Sequence, residues 1–246
     1  AIAGIIFAND MGGAALADSV ATDALLGSFH GLCVASMLGA TISFTIPVAL
    51  ASSQKEHHND VLLGLLCGIS TIPVGCFVSG LVMGIKPLTV LINLAPAILI
   101  SVIIIIGLLK LPEITIKIFS GFGKFISILI TCGLALGIFQ TLTGKVILKN
   151  TAPLMESAAT VFTICITLAG TFPLIAIISK LLKKPLSLLG KKLHLDDTSV
   201  IGLIATLANS IATMESADRM NRKGRVMNLA FAVSAAFVFG DHLAFT

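Results

Sequence analysis

Hydrophobic and polar positions in this chain are sorted by whole segments. Uncharged stretches run over Ala24–Gln54, Val61–Ile85, Pro87–Leu109, Phe125–Gly144 and Ser157–Ser179, each of 20 or more residues. A helix needs about 20 apolar residues to cross a hydrocarbon core of roughly 30 Å, so each stretch predicts a transmembrane helix. Three shorter apolar pieces do not fit that length: Ala1–Asn9 with Met11–Ala17, Thr198–Met214, and Val226–Gly240 continuing through Asp241-His242. The 17 residues of Thr198–Met214 are interrupted by Thr206, Asn209, Ser210 and Thr213. Folded back at Asn209, each limb of about 8 residues would rise roughly 12 Å, close to the bilayer midplane. Such a re-entrant hairpin is tolerated only where it is buried in protein or lines a wet cavity, because backbone polar groups facing lipid go unsatisfied.

Composition agrees with this pattern. Hydrophobic residues make up 56% of the chain and charged residues 11%, and the mean hydropathy of +1.05 excludes an ordinary soluble domain. Ala1 falls inside an apolar segment and Thr246 inside a helix-like run, so the sequence is expected to be the central part of a longer membrane protein. The five cysteines lie scattered in apolar runs without metal-type spacing, which predicts reduced packing thiols and no metal or other cofactor. The net charge of +4 calls for no nucleic-acid partner once the basic residues are placed on the loops.

Those loops decide between two threadings. If every apolar piece spans, the basic residues divide 9 against 7 between the two faces. If the first piece and Thr198–Met214 are hairpins that enter and leave on one side, Arg219, Arg222, Lys223 and Arg225 change faces and the division becomes 13 against 3. The positive-inside rule favours the second arrangement. It leaves five crossings between the hairpins, an odd number, so the two hairpins open to opposite sides. A weak repeat agrees: Phe7-Ala8-Asn9-Asp10 faces Leu207-Ala208-Asn209-Ser210, and Gly39-Ala40-Thr41 faces Gly240-Asp241-His242. The expected fold is an all-α polytopic membrane protein of inverted repeats, each a re-entrant hairpin followed by a broken transmembrane helix. Residues 1–54 form the first repeat core, 55–197 the intervening helices and 198–246 the second repeat core, in one membrane domain.

Polar residues inside an apolar bundle are the candidates for function. Asn9 and Asp10 at the first break, Asn209 and Ser210 at the second, Asp241 and His242 in the last helix, and Thr41 at the position matching them form the expected substrate site. No catalytic or metal-ligating residue is assigned. Each candidate also has a structural reading: Asp10 caps the second limb of its hairpin, Asn209 and Ser210 satisfy open backbone at their tip, and Thr41 bonds its own helix. Asp196-Asp197-Thr198-Ser199 reads as an N-cap into the second hairpin. Pro47, Pro73, Pro96 and Pro173 are expected to kink or end helices.

Phe7-Ala8-Asn9-Asp10-Met11-Gly12-Gly13, Ile46-Pro47-Val48-Ala49-Leu50, Thr71-Ile72-Pro73-Val74-Gly75-Cys76, Ala205-Thr206-Leu207-Ala208-Asn209 and Phe231-Ala232-Val233-Ser234-Ala235-Ala236-Phe237 leading into Gly240-Asp241-His242-Leu243 resemble the ethanolamine utilisation transporter family, EutH. The resemblance runs in order across essentially the whole chain. It implies a bacterial inner-membrane, multi-pass permease, embedded in the lipid bilayer, that imports ethanolamine. One departure stands out: where the family pattern is expected to read Asn-Asn-Ile-Pro, this chain has Asn209-Ser210-Ile211-Ala212. Ethanolamine, a small ammonium with three N–H donors, suits one carboxylate and two amide or carbonyl oxygens. The absence of Trp and Tyr disfavours an aromatic cage for choline-like ligands. The rival readings are an ion-coupled carrier of another small polar solute such as a nucleoside, and an intramembrane enzyme using Asp10 and His242. A homo-oligomer is left open.

Overall fold

The computed structural model describes residues 21, 23–147, 192–236 and 238, with scattered positions between 154 and 190. The secondary structure it shows is helical, with no strand among the described residues. Residues 24–52 form one continuous helical element, α1, built from Ala24–Ser28, two π-helical stretches at Phe29–Gly39 and Thr41–Thr45, and Ile46–Ser52. Asp23 starts it by accepting the Leu25 N–H at 3.1 Å. After a 3₁₀ turn at Lys55–His57 come α2 (His58–Val82), α3 (Pro87–Lys110) and α4 (Pro112–Thr143). Then follow α5 (Asp197–Ala208), α6 (Ser210–Ser216), a 3₁₀ turn at Ala217–Arg219, and α7 (Arg222–Ala235).

Three helices are each long and apolar enough to cross a membrane: α2 with its preceding turn, α3 and α4. At 32 residues, α4 is about 48 Å long and exceeds a hydrocarbon core. The expected span Phe125–Gly144 is therefore only its C-terminal part, and Lys117 and Lys124 lie on the helix and not in a loop. Within α4 no Pro follows Pro112, and the helix runs on to Gly144, whose positive φ of 68° ends it. Pro73 and Pro96 lie inside α2 and α3 without ending them. The carbonyl of Ile69, four residues before Pro73 and so without that helical donor, accepts the Ser101 hydroxyl of α3 at 3.3 Å.

The segment around Asn209 doubles back on itself. Asn209 is extended (φ −155°, ψ 122°) between α5 and α6. Thr213 Oγ1 donates to the Gly202 carbonyl at 2.8 Å, and Thr206 Oγ1 donates to Thr213 Oγ1 at 2.9 Å. Gly202 and Thr213 would stand about 16 Å apart on a straight helix, so the two limbs are antiparallel. At their base the Asn221 N–H donates to Asp196 Oδ1 at 3.1 Å. The chain thus enters and leaves the hairpin at one end.

Residues 53–60 share that end. Asp218 accepts the Gln54 N–H through both carboxylate oxygens, and Asp60 pairs with Arg222 at 3.0 Å and Arg225 at 2.9 Å. The loop carrying Lys55 and the loop carrying Arg219–Arg225 therefore lie together, as the 13-to-3 threading requires and the all-spanning one forbids. The first hairpin lies outside the described residues, so the inverted relation of the two halves is carried forward as a proposal.

Close approach holds α7 at the centre. A Cβ on Gly64 would lie 2.6 Å from the Val226 carbonyl oxygen, and one on Gly68 would lie 2.5 Å from that of Ala230. Only glycine allows α2 this near to the α7 backbone. On the other side, a Cβ on Gly202 of α5 would lie 2.5 Å from Asn228 Oδ1. Around this pairing lie Phe29, Ile46, Leu65, Ile69, Leu94 and Leu229, which form part of one buried apolar cluster. Where lipid tails surround such a bundle, burial gains through van der Waals fit more than through escape from water.

Candidate functional site

Of the residues singled out from the sequence, Asn9, Asp10, Asp241 and His242 lie outside the described residues. Thr41, Asn209 and Ser210 are described and all are buried. Asn209 caps α6: its Oδ1 accepts the Ile211 N–H at 2.7 Å, so the structural role assigned to its side chain is realised. Ser210, where the family pattern was expected to carry a second amide, has a fully buried hydroxyl oxygen with no hydrogen-bond partner among the described residues.

Thr41 faces a different place. A cavity of about 160 Å³ lies between α1 and the end of α7. One wall is the π-helical part of α1, through Leu32, Cys33, Ser36, Met37, Ala40, Thr41 and Thr45. These residues recur about every four positions and so share a helix face. The facing wall is Ala232, Val233, Ser234, Ala236 and Val238, and Ser79 of α2 completes the lining. Asn209 and Ser210 are not among these lining residues.

A broken helix was expected at Gly240-Asp241-His242, but α7 already ends at Ala235. Ala236 turns extended (φ −63°, ψ 141°). The end of α7 thus lies on the cavity wall, while Gly240-Asp241-His242, where the break was expected, lie outside the described residues. π-helical geometry is rare and concentrates at functional sites, and here it lines the same cavity. Of other polar residues within these apolar segments, Ser36 lines the cavity, whereas Thr71 bonds its own helix at Gly68 and Asn93 accepts from His30.

Two polar constellations were not anticipated from the sequence. Arg225, 4% exposed, pairs with Asp60 and also donates to the carbonyls of Ala217 at 2.9 Å and Met220 at 3.0 Å. Counting it as one more basic loop residue concealed this. Its helical phase with Asn228, Leu229 and Ala232, all buried, was the available signal. The second constellation is His30 with Asn93. Asn93 Nδ2 donates to the Thr89 carbonyl at 2.8 Å, which makes its Oδ1 the acceptor for His30 Nε2–H at 2.9 Å, while His30 Nδ1 is buried without a partner among the described residues.

At the hairpin base, burial pushes the Asp196 carboxyl up, but hydrogen bonds from the Ser199 hydroxyl and the backbone N–H of Asn221 outweigh it and hold the carboxyl below its ordinary value. Asp196 thus stands at the N-cap position of α5, where the sequence placed a cap, but its carboxylate takes the Ser199 hydroxyl and the Asn221 N–H and so ties α5 to the start of α7.

Apolar helices of spanning length, a helical hairpin folded at one residue and an internal cavity lined by hydroxyls define an all-α membrane protein. Within that class the chain belongs to the EutH family, described as ethanolamine utilisation protein, whose family model matches residues 1–246. It is 46% identical over 241 residues to the probable ethanolamine permease EutH of Listeria monocytogenes serotype 1/2a (strain 10403S), covering 98% of this chain and 65% of that protein. It is 42% identical over 243 residues to the uncharacterized protein YxeR of Bacillus subtilis (strain 168), covering 99% and 66%. It is 36% identical over 267 aligned positions to the probable ethanolamine permease EutH of Escherichia coli (strain K12), covering 99% and 65%. The chain thus spans a little under two thirds of the length of these relatives. Two of the three bear permease names, and none is named an enzyme. No solved structure matches the chain.

Proposed function

We propose that the protein containing this chain imports ethanolamine across the bacterial inner membrane by alternating access. Its two inverted repeats would place the substrate between the hairpin tips and the broken helices. The observation that carries this reading is the cavity between the π-helical face of α1 and the break after α7. It combines backbone released from regular helix with clustered hydroxyls inside an apolar bundle, the arrangement by which discontinuous helices hold solutes in transporters. The permease names of the relatives support the same reading and supply the solute. Asn9, Asp10, Thr41, Asn209, Ser210, Asp241 and His242 are the proposed substrate-contacting set, with Asp10 one partner of the substrate ammonium among several.

The test is uptake of labelled ethanolamine by the full-length protein in liposomes, with and without imposed proton and sodium gradients, alongside Asp10→Asn. Uptake above protein-free liposomes is expected. Asp10→Asn should weaken binding about 10- to 150-fold, the value of one hydrogen bond to a charged group. A folded protein that moves no ethanolamine under any gradient would end the proposal. Normal ethanolamine binding by Asp10→Asn would reduce that carboxylate to a cap.

A further inference from the structure

On the α1 and α2 sides of the cavity beside Thr41 the hydroxyls present hydrogen-bond acceptors and withhold donors. Ser36 Oγ donates to the carbonyls of Leu32 at 2.6 Å and Cys33 at 3.1 Å, Thr41 Oγ1 to that of Met37 at 2.5 Å, and Ser79 Oγ to that of Gly75 at 3.0 Å. A hydroxyl has one hydrogen and two lone pairs. With the hydrogen held by its own helix, each of these side chains shows a solute only lone pairs.

The facing wall adds backbone acceptors and one further hydroxyl, that of Ser234. The last four carbonyls of a helix lack intrahelical partners, and in α7 three of the four belong to residues that line the cavity, Ala232, Val233 and Ser234. The carbonyl of Val233 receives only a long contact from Thr41, at 3.5 Å. A helix C-terminus carries the equivalent of about half a negative charge, and the end of α7 lies here beside a space that, among the described residues, is lined by no Asp, Glu, Lys, Arg or His.

We infer that this cavity selects its solute by the number of N–H donors, binding the ammonium end of a small primary amine through the neutral oxygens of Ser36, Thr41 and Ser79 and the terminal carbonyls of α7. Thr41 and Ser79 are then specificity-determining residues. The inference rests on the transport reading above and deepens it by assigning the acceptors. A primary ammonium brings three donors to meet acceptors on two walls. Each N-methyl group removes one donor and adds bulk. A carboxylate would meet lone pairs with lone pairs and be repelled. The 160 Å³ of space is about five waters' share of liquid volume, at ~30 Å³ each, which suits a solute of a few heavy atoms better than a bare ion needing close oxygen contacts all round.

The experiment is equilibrium binding to the purified full-length protein of ethanolamine and its N-methyl, N,N-dimethyl and N,N,N-trimethyl derivatives, in wild type, Thr41→Val, Thr41→Ser and Ser79→Ala. Wild-type affinity should fall with every methyl added. Thr41→Val should weaken ethanolamine about tenfold and shrink the steps of the series, while Thr41→Ser stays near wild type. If Thr41→Val and Ser79→Ala keep their thermal melts and bind the whole series as wild type does, ammonium recognition lies elsewhere and this inference falls, although the transport reading stands. Should Thr41→Val fail to fold, Ser79→Ala and the wild-type series decide, and a series flat across the methyl steps overturns the inference. A wild type that binds none of the four amines overturns the transport reading as well.

Discussion

Helices α4 and α7 invert the rule familiar from soluble proteins. The second carries Arg222, Lys223, Arg225 and Asn228 in 14 residues, and yet Arg225 and Asn228 are among its buried positions. The first is apolar over most of its 32 residues and buries only Gly123 and Ile126, with Ile128 63% and Leu142 81% exposed. In lipid an apolar surface needs no cover, whereas a polar side chain needs a partner inside the protein. Hydropathy alone therefore says which helices belong in the membrane and little about which sit at the centre of the bundle.

The sharpest break in this contrast is Arg225→Ala. It leaves Asp60 at the inner end with only the exposed Arg222 and removes the donors to Ala217 and Met220. Removing one member of a buried pair costs about 3–5 kcal/mol, so a loss near the upper end of a single-site effect is expected in thermal or denaturant unfolding of the full-length protein in detergent. A loss under about 1 kcal/mol, as surface pairs give, would place this contact at a solvated rim.

Next in size is the same substitution made on two helices. Gly68→Ala in α2 drives a Cβ against the Ala230 backbone and the Val233 side chain, whereas Gly133→Ala in α4 meets nothing within 4 Å. Overpacking costs typically about 1–3 kcal/mol, while Ala in place of Gly in an open helix gains roughly 0.5–1 kcal/mol. Opposite shifts in melting temperature are therefore expected, down at position 68 and up at position 133. Shifts of the same sign would mean that α4 is covered at that position or that α2 and α7 pack less closely.

The smallest effect concerns the hairpin base. The Asp196 carboxyl is held below its ordinary value of 3.8, so its contribution is fully present above that value and is lost as pH falls through the lower, folded one. Amide exchange over 197–221 should accelerate below about pH 4 in wild type, and in Asp196→Asn it should be faster already at neutral pH with a weaker acid response. An identical pH dependence in the two proteins would remove Asp196 from the tie between α5 and α7.

Much of the architecture was legible in the residues. Asn209 in a run too short to span marked the fold-back point, because polar groups in lipid have few places to go, and the loop charges placed 53–60 and 217–225 at one end. Family membership was readable from ordered segments along the chain. Other features were decided by what lies across from each residue. Arg225 became a buried partner because Asp60 stands opposite it. α7 stopped at Ala235, ahead of the glycine that looked like its breaking point, where it faces the π-helical wall of α1. Thr41 acquired a cavity because that wall and the α7 terminus leave one, while Asn209, its apparent equal in the sequence, spends its side chain on a cap. Chain-local energetics, the cost of polarity in hydrocarbon and the bias of basic loops, act on each segment alone and are written in the sequence. Which lone pair is left free for a solute depends on where every neighbouring hydrogen has gone, and only the packed structure determines that.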